Sequence, residues 1–334
     1  MMHPASLNIN SSQSTEMAIQ LGVLNKTLFG ISPEEASFTK RGFQPVKPNL
    51  QDRLEHIGRT FIGGYDAALL LSGNPTELYA RLNEVPLESR GFAFEGAGMG
   101  LALLDYLTPW KTDRLNSFIR DYGDAHIYML HVGPGWAMAR LPWSLQRRLN
   151  RMDPLLRWLA LDGYGFHQGY FHWRTYIGDR REPRLPPGYI RRAFNLGLGR
   201  SLWFVLGADV ERITQTIAAF PASRQPELWS GVGLAATYAG GVTQTELETL
   251  REKASPYQAQ LAQGAAFAAK ARQRAGNLTP HTELASQVLC NLPALEAAQL
   301  ADTALQDLSA NTSELPAFEL WRRRIQAHFQ ENPP

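Results

Sequence analysis

The chain has 334 residues, 44% of them hydrophobic and 19% charged, with a formal net charge of +2. That is enough apolar material for one large core or two ordinary ones, and the near-neutral balance excludes a global attraction to nucleic acid or acidic membranes. Cys290 is the only cysteine, which excludes an intramolecular disulfide and a thiolate metal cluster and fits a reducing compartment.

At the N-terminus, MMHPASLNINSSQSTEMAIQ lacks a basic region followed by an apolar core, and no apolar run of about eighteen residues occurs anywhere. Neither a secretory signal nor a membrane span is expected, and the expected location is the cytoplasm. Residues 1–50 read as a helix through MAIQLGVLNKTLF and an extended lead-in, where Ser32 caps a short turn with Pro33 at its first position.

Residues 51–308 carry a recurrent texture. The segments FEGAGMGLAL, LDGYGFHQGY and WSGVGLAATY share an apolar residue, a small polar or acidic one, and Gly-x-Gly, with first glycines at 96, 163 and 231. FIGGYDAALL, HVGPGWAMAR, NLGLGRSLWF and AQGAAFAAKA interleave with them, so that glycines 63, 96, 133, 163, 197, 231 and 264 follow at steps of 33, 37, 30, 34, 34 and 33. A period of about 34 residues predicts an all-α array of helical hairpins, similar in length to tetratricopeptide units.

Within a unit, the first helix is long and apolar, as in Phe92–Tyr106, and a turn such as SGNPTE or LGADVE follows, with Asn74 or Asp209 as cap. The second helix is amphipathic: in VERITQTIAAF, Val210, Ile213, Ile217 and Phe220 share a stripe, and Pro86 or Pro221 ends the unit. The glycines therefore read as helix-packing positions. A nucleotide fingerprint would occur once, between a strand and a helix, whereas this pattern recurs inside predicted helices.

An arginine- and proline-rich loop is expected over 174–192, its basic residues (Arg174, Arg180, Arg181, Arg184, Arg191, Arg192) read either as a solvated connection or as an anion site. Residues 309–334 read as a linker and a C-terminal capping helix.

Several groups are candidates for chemistry. Glu95 and Asp162 hold equivalent repeat positions, with Ser230 in the third, and two acids projecting from apolar helices would be desolvated and raised in pKa, as a general acid requires. His126 and His131, and His167 and His172, stand five apart, which is about 140° around a helix and does not form an i, i+4 zinc pair. A metal held between helices by Glu95, His126, Asp162 and His167 is the weaker reading, and no metal is assigned. Cys290 reads as a core thiol, and no G-x-S-x-G nucleophile motif is present. Trp136, Trp143, Trp158, Tyr164, Phe166, Tyr170, Phe171 and Trp173 crowd the middle third. These rings either line an inner pocket for an elongated apolar ligand or pack an ordinary core. Trp136, Trp158, Tyr164, Phe166 and Tyr170 are the candidate ligand contacts.

Taken together, LFGISPEEASFTKRGF, RGFAFEGAGMGLALLD, HVGPGWAMARL, DPLLRWLALDGYGFHQGYF and LWSGVGLAATYAGG resemble the bacterial DUF1702 family, which includes UnbL-like proteins encoded beside enediyne polyketide synthases. The resemblance runs from about Leu28 to Gly241. It implies an accessory factor acting on or beside a long polyunsaturated chain, and it brings neither catalytic residues nor a cofactor.

Two readings follow. One is an enzyme or ligand-handling protein that holds a long unsaturated or isoprenoid-like chain, with Glu95, Asp162, His167 and His126 as acid–base or cation-stabilising groups. The other is a non-catalytic scaffold whose concave face binds a protein of the same pathway. A closed toroid, similar to the α/α barrels of terpene cyclases, is a third form, although the DxDD acid motif is missing.

Overall fold

A computed structural model describes residues 8–108, 113–141, 143, 145–308 and 315–334, and every element among them is helical. The first part of the chain gives α1 (Asn8–Phe29), a 3-10 turn (Pro33–Ala36), α2 (Phe38–Arg41), α3 (Pro48–Leu71), α4 (Pro75–Asn83), α5 (Arg90–Leu107) and α6 (Arg114–Tyr122). A 3-10 turn (Asp124–His126) leads into α7 (Ile127–Arg140), α8 (Leu145–Leu149) and α9 (Arg157–Phe171). After a π-turn (Arg174–Gly178) come α10 (Tyr189–Val205), α11 (Val210–Ala218), α12 (Gln225–Ala239), α13 (Gln244–Lys253), α14 (Gln258–Arg274), α15 (Pro280–Cys290), α16 (Ala294–Leu305) and α17 (Ala317–Glu331). The all-α array expected from the sequence is what forms. Among the described residues, no helix is long and apolar enough to cross a membrane.

Side by side, α3, α5, α7, α9, α10, α12 and α14 form a row, each packed on the next, and α16 continues it. Each of the seven glycines of the sequence series lies in a different member of this row. The shorter α4, α6, α8, α11, α13 and α15 connect them on the outside, their starts fixed where the sequence supplies a cap. Asn74 accepts from the Glu77 amide at 3.2 Å, and Asp209 from the Arg212 amide at 3.0 Å. Val210, Ile213 and Ile217 of α11 are buried, as their common stripe requires. The hairpin is not regular. Between α9 and α10 the π-turn and irregular backbone over 179–188 replace a second helix, and 189–192, expected in the loop, open α10 instead. The expected linker at 309–314 lies outside the described residues.

Close packing in the row has one cause. A glycine pair at i and i+2 points to faces about 200° apart on a helix of 3.6 residues per turn. The first glycine of each pair therefore meets the preceding helix and the second meets the following one. Gly96 lies on the backbone of Phe61 and Tyr65, and Gly98 on that of Leu130. Gly133 and Gly135 touch Glu95 and Ala160, Gly163 and Gly165 touch Val132 and Phe194, and Gly197 and Gly199 touch Asp162 and Leu228. Gly231 and Gly233 continue to Leu196 and Leu261, and Gly264 returns to Ser230. At each of these sites an added Cβ would come within 3.0 Å of a neighbouring backbone atom. Mid-helix glycine costs about 1 kcal/mol against alanine. Dispersion and Cα–H···O contacts across the shortened interface offset that cost.

The row curls until its ends meet. The Arg53 guanidinium, near the start of α3, donates to the Ala239 carbonyl at the end of α12 at 2.7 Å. Arg272, near the end of α14, donates to Tyr238 O at 2.5 Å and to Glu88 O at 2.9 Å, and Asn277 Nδ2 donates to Leu87 O at 3.0 Å. N-terminal ends of the first row helices thus abut C-terminal ends of the later ones. The array closes on itself with its two ends offset along the helix direction. Arginines placed on the last carbonyls of α12 satisfy acceptors that a helix terminus leaves open.

The glycine spacing makes a paired test. Gly197→Ala would drive a methyl group onto the Asp162 carbonyl and the Phe166 amide, whereas Gly63 is exposed with nothing within 4 Å. Gly197→Ala is expected to destabilise the protein by about 1–3 kcal/mol, and Gly63→Ala to be neutral or stabilising by up to about 1 kcal/mol. Thermal unfolding midpoints of the two variants check this, and the reverse order would refute the spacer role.

Candidate functional site

The two glycines of each row helix leave one face between them. Taking the first glycine as zero, positions −1 and +3 fall at about 260° and 300°, midway between the glycine faces at 0° and 200°. This face points into the curl. Glu95, Val132 and Asp162 occupy it at −1, and Trp136, Phe166, Arg200, Leu234 and Phe267 occupy it at +3. One turn further on, Tyr170, Phe204 and Tyr238 extend the stripe.

Together with Ile57, Phe61 and Ile62 of α3, Phe92 of α5, Tyr128 of α7 and Phe318 and Trp321 of α17, these residues surround a central cavity. Its empty space, mouth included, is about 1230 Å³, and the side chains that crowd it leave it narrow. Aromatic edges and faces form the wall, with Trp136 at 4.3 Å from Phe61 and 5.1 Å from Phe166 between ring centroids. At the other end Phe267 lies 4.5 Å and Tyr128 6.4 Å from Trp321.

One charged group of residues interrupts this wall. Arg200, Glu95 and Asp162 are all buried. Trp136 Nε1 donates to Glu95 Oε1 at 3.1 Å. Arg200 Nη2 stands 2.5 Å from Asp162 Oδ1 and 3.9 Å from Glu95 Oε1, and its guanidinium lies 4.9 Å from the centroid of the Phe166 ring. The Arg200–Asp162 contact is a close ion pair made through Nη2, while Arg200 Nε has no hydrogen-bond partner. Burial pushes the Glu95 carboxyl up to about 6, against the opposing pull of Arg200 and the Trp136 hydrogen bond. Burial raises Asp162 as well, and the Arg200 charge opposes it at shorter range. Burial works against the Arg200 cation, but the two acids keep it charged. A carboxyl near neutrality beside a fixed ion pair can hold or release a proton inside an apolar enclosure.

Not every residue singled out in the sequence comes to this place. Glu95, Asp162, Trp136, Phe166 and Tyr170 line the cavity. His167 does not: its ring sits edge-on to Trp136 at 5.7 Å, behind the wall, and burial lowers its pKa to about 3. His126 lies on the far side of α5, stacked on Phe94 at 4.2 Å, lowered by burial to about 4. Trp158 meets Tyr189 edge-on at 4.8 Å, and Tyr164 faces Phe194 at 6.0 Å. No group of three His, Cys, Asp or Glu among the described residues is placed to hold a metal. Cys290 is a buried core thiol whose Sγ donates to Ala262 O at 3.3 Å.

Arg200 and Tyr238 are the residues that sequence reasoning missed. Both stand on the glycine stripe, at +3 and +7, and a charge at such a position in NLGLGR is the signal that locates the first of them.

A second buried ionic cluster has a different task. Arg192 Nη2 pairs with Glu227 at 2.6 Å and Glu319 at 2.8 Å, and Arg322 Nη1 pairs with Glu319 at 2.8 Å while its Nε donates to Gln263 at 3.1 Å. Ser230, at the repeat position of Glu95 and Asp162, donates to Gln263 at 2.9 Å and so belongs to this cluster. These bonds fasten α17 across α10, α12 and α14. The helix expected as a C-terminal cap contributes Phe318 and Trp321 to the cavity wall.

Residues 20–329 match the family described as "Protein of unknown function (DUF1702)", and the chain belongs to that family. No curated protein and no solved structure matches it.

Folding takes up a proton at Glu95 between its ordinary pKa of about 4.5 and its folded value of about 6. The stability this group contributes is therefore complete below about pH 4.5 and lost as pH rises through 6, a swing on the order of 2 kcal/mol. Wild type should gain about that much on Glu95→Gln between pH 7 and pH 4.5 in urea unfolding. A difference independent of pH would show that Glu95 carries no shifted proton.

Proposed function

We propose that this is a cytoplasmic accessory protein of bacterial secondary metabolism that takes a long unsaturated apolar chain, polyketide polyene or isoprenoid-like, into the central cavity and acts on it. The supporting observation is the cavity itself: a narrow, aromatic-walled space at the axis of the array whose wall holds a buried Glu95–Asp162–Arg200 set. Apolar enclosures with a few convergent polar groups are the usual form of small-molecule sites.

In this reading the aromatic wall selects an elongated chain by area and shape, Glu95 gives or takes the proton, and Asp162 keeps Arg200 charged and positioned. Trp136 fixes the Glu95 carboxylate. The pathway context comes from the resemblance to UnbL-like proteins. The scaffold reading calls for an open concave groove, and here the inner face is filled by side chains around a narrow space, which weighs toward ligand handling.

Two measurements test the reading. Native mass spectrometry and organic extraction of protein purified from a producing bacterium should return an apolar molecule in about equal amount with the chain. A clean ligand-free mass with a second protein retained would move the reading to the scaffold. In the same host, Glu95→Gln is expected to lower product formation by about a hundredfold or more, and Asp162→Asn to lower it through loss of the Arg200 pair. Unchanged product in both variants would remove the acid–base roles.

A further inference from the structure

We propose that the ligand of the cavity carries a neutral oxygen acceptor, a carbonyl oxygen, at an internal position of its chain, seated against Arg200 Nε and Tyr238 Oη. This rests on the reading of the cavity as the site of a long apolar chain, and it adds the functional group the chain must bear.

Two buried donors motivate it. Arg200 Nε and Tyr238 Oη have no hydrogen-bond partner, both residues are more than nine-tenths buried, and both line the cavity. An N–H or O–H left unpaired in an apolar enclosure costs about 1–3 kcal/mol, so such groups persist where a ligand atom satisfies them. Tyr238 is held in place edge-on to Phe92, with its hydroxyl against Gly91, a position that any larger residue there would displace. Glu95 and Arg200 are close enough that both charges act on the Tyr238 phenol. With a proton on Glu95, the site offers a third donor.

Charge balance decides what kind of acceptor fits. Asp162 already neutralises Arg200, and Glu95 adds a second acid. An anionic head group would bring a further negative charge into a space whose described lining cations are already paired, Arg200 with Asp162 and Lys270 with Asp302, at a large desolvation cost. A carbonyl oxygen accepts from both donors and brings no charge.

The internal position follows from the helix axes. Along α9 the cavity-lining residues run Leu159, Asp162, Phe166, Tyr170, a span of about 16 Å at 1.5 Å per residue. Asp162 lies between the two ends, so the wall continues past the polar group in both directions. One arm leads to Tyr170 and the turn at Pro33–Ala36, and the other to the rings of α14 and α17.

The test uses three probes of one length, tridecane, tridecan-7-one and tridecanoate, competing with the fluorophore Nile red on the full chain. The ketone is expected to bind about tenfold more tightly than the alkane, the worth of one or two satisfied hydrogen bonds, with tridecanoate the weakest. Tyr238→Phe, which keeps the ring packing, and Arg200→Lys, which keeps a cation beside Asp162 but removes Nε, should each reduce the ratio of ketone to alkane affinity. Equal binding of ketone and alkane, or tightest binding of tridecanoate, would overturn the inference and leave the apolar-chain reading in place. If neither Nile red nor any probe binds, the apolar-chain reading itself fails, and the inference falls with it.

Discussion

The contact on which the structure depends is backbone against backbone, made at paired glycines on opposite faces of each row helix. Ordinary helices keep their axes 8–10 Å apart because side chains fill the space between them. Where glycines face a neighbour, the helices approach until Cα meets carbonyl oxygen, as Gly96 does on Phe61 and Gly197 on Asp162. Because the two glycine faces are not diametrically opposed, the row has a concave side. Residues at −1, +3 and +7 lie there, and their size sets the width of the cavity.

Closure adds a second constraint. An offset curl places the C-terminal carbonyls of α12 opposite the N-terminal ends of α3 and α5, and Arg53 and Arg272 supply the donors. These bonds join residues far apart in sequence and fix how tightly the row winds. The cavity therefore depends on them, and Tyr238, whose carbonyl accepts one of these bonds, turns its ring and hydroxyl to the cavity.

The two buried ionic clusters differ in a way that separates architecture from chemistry. Around α17, Arg192, Arg322 and Arg323 meet Glu227 and Glu319, and the charges join elements to one another. In the cavity, Arg200 meets Asp162 and Glu95 but keeps Nε unpaired, and Glu95 sits near neutrality. Buried ion pairs are weak sources of net stability. A set with spare donors and a shifted proton has the properties expected of a functional site.

Much of this was legible in the sequence. The glycine series, the caps at Asn74 and Asp209 and the stripe through Val210, Ile213 and Ile217 are local patterns, and local patterns dictate helices and their faces. The matched acids Glu95 and Asp162 were legible for the same reason, since equivalent positions in similar helices turn toward the same side. The meeting of Arg200 with both acids, the withdrawal of His126 and His167 behind the wall, and the reach of Trp321 to Tyr128 were decided by the curl of the row. The irregular span 179–188 in place of a second helix was likewise not readable from the glycine steps. Helical periodicity fixes the angle of a side chain about its own axis. Which distant helix that side chain meets depends on the winding of the whole array, set by contacts between residues more than a hundred positions apart, such as Arg53 with Ala239 and Arg272 with Glu88.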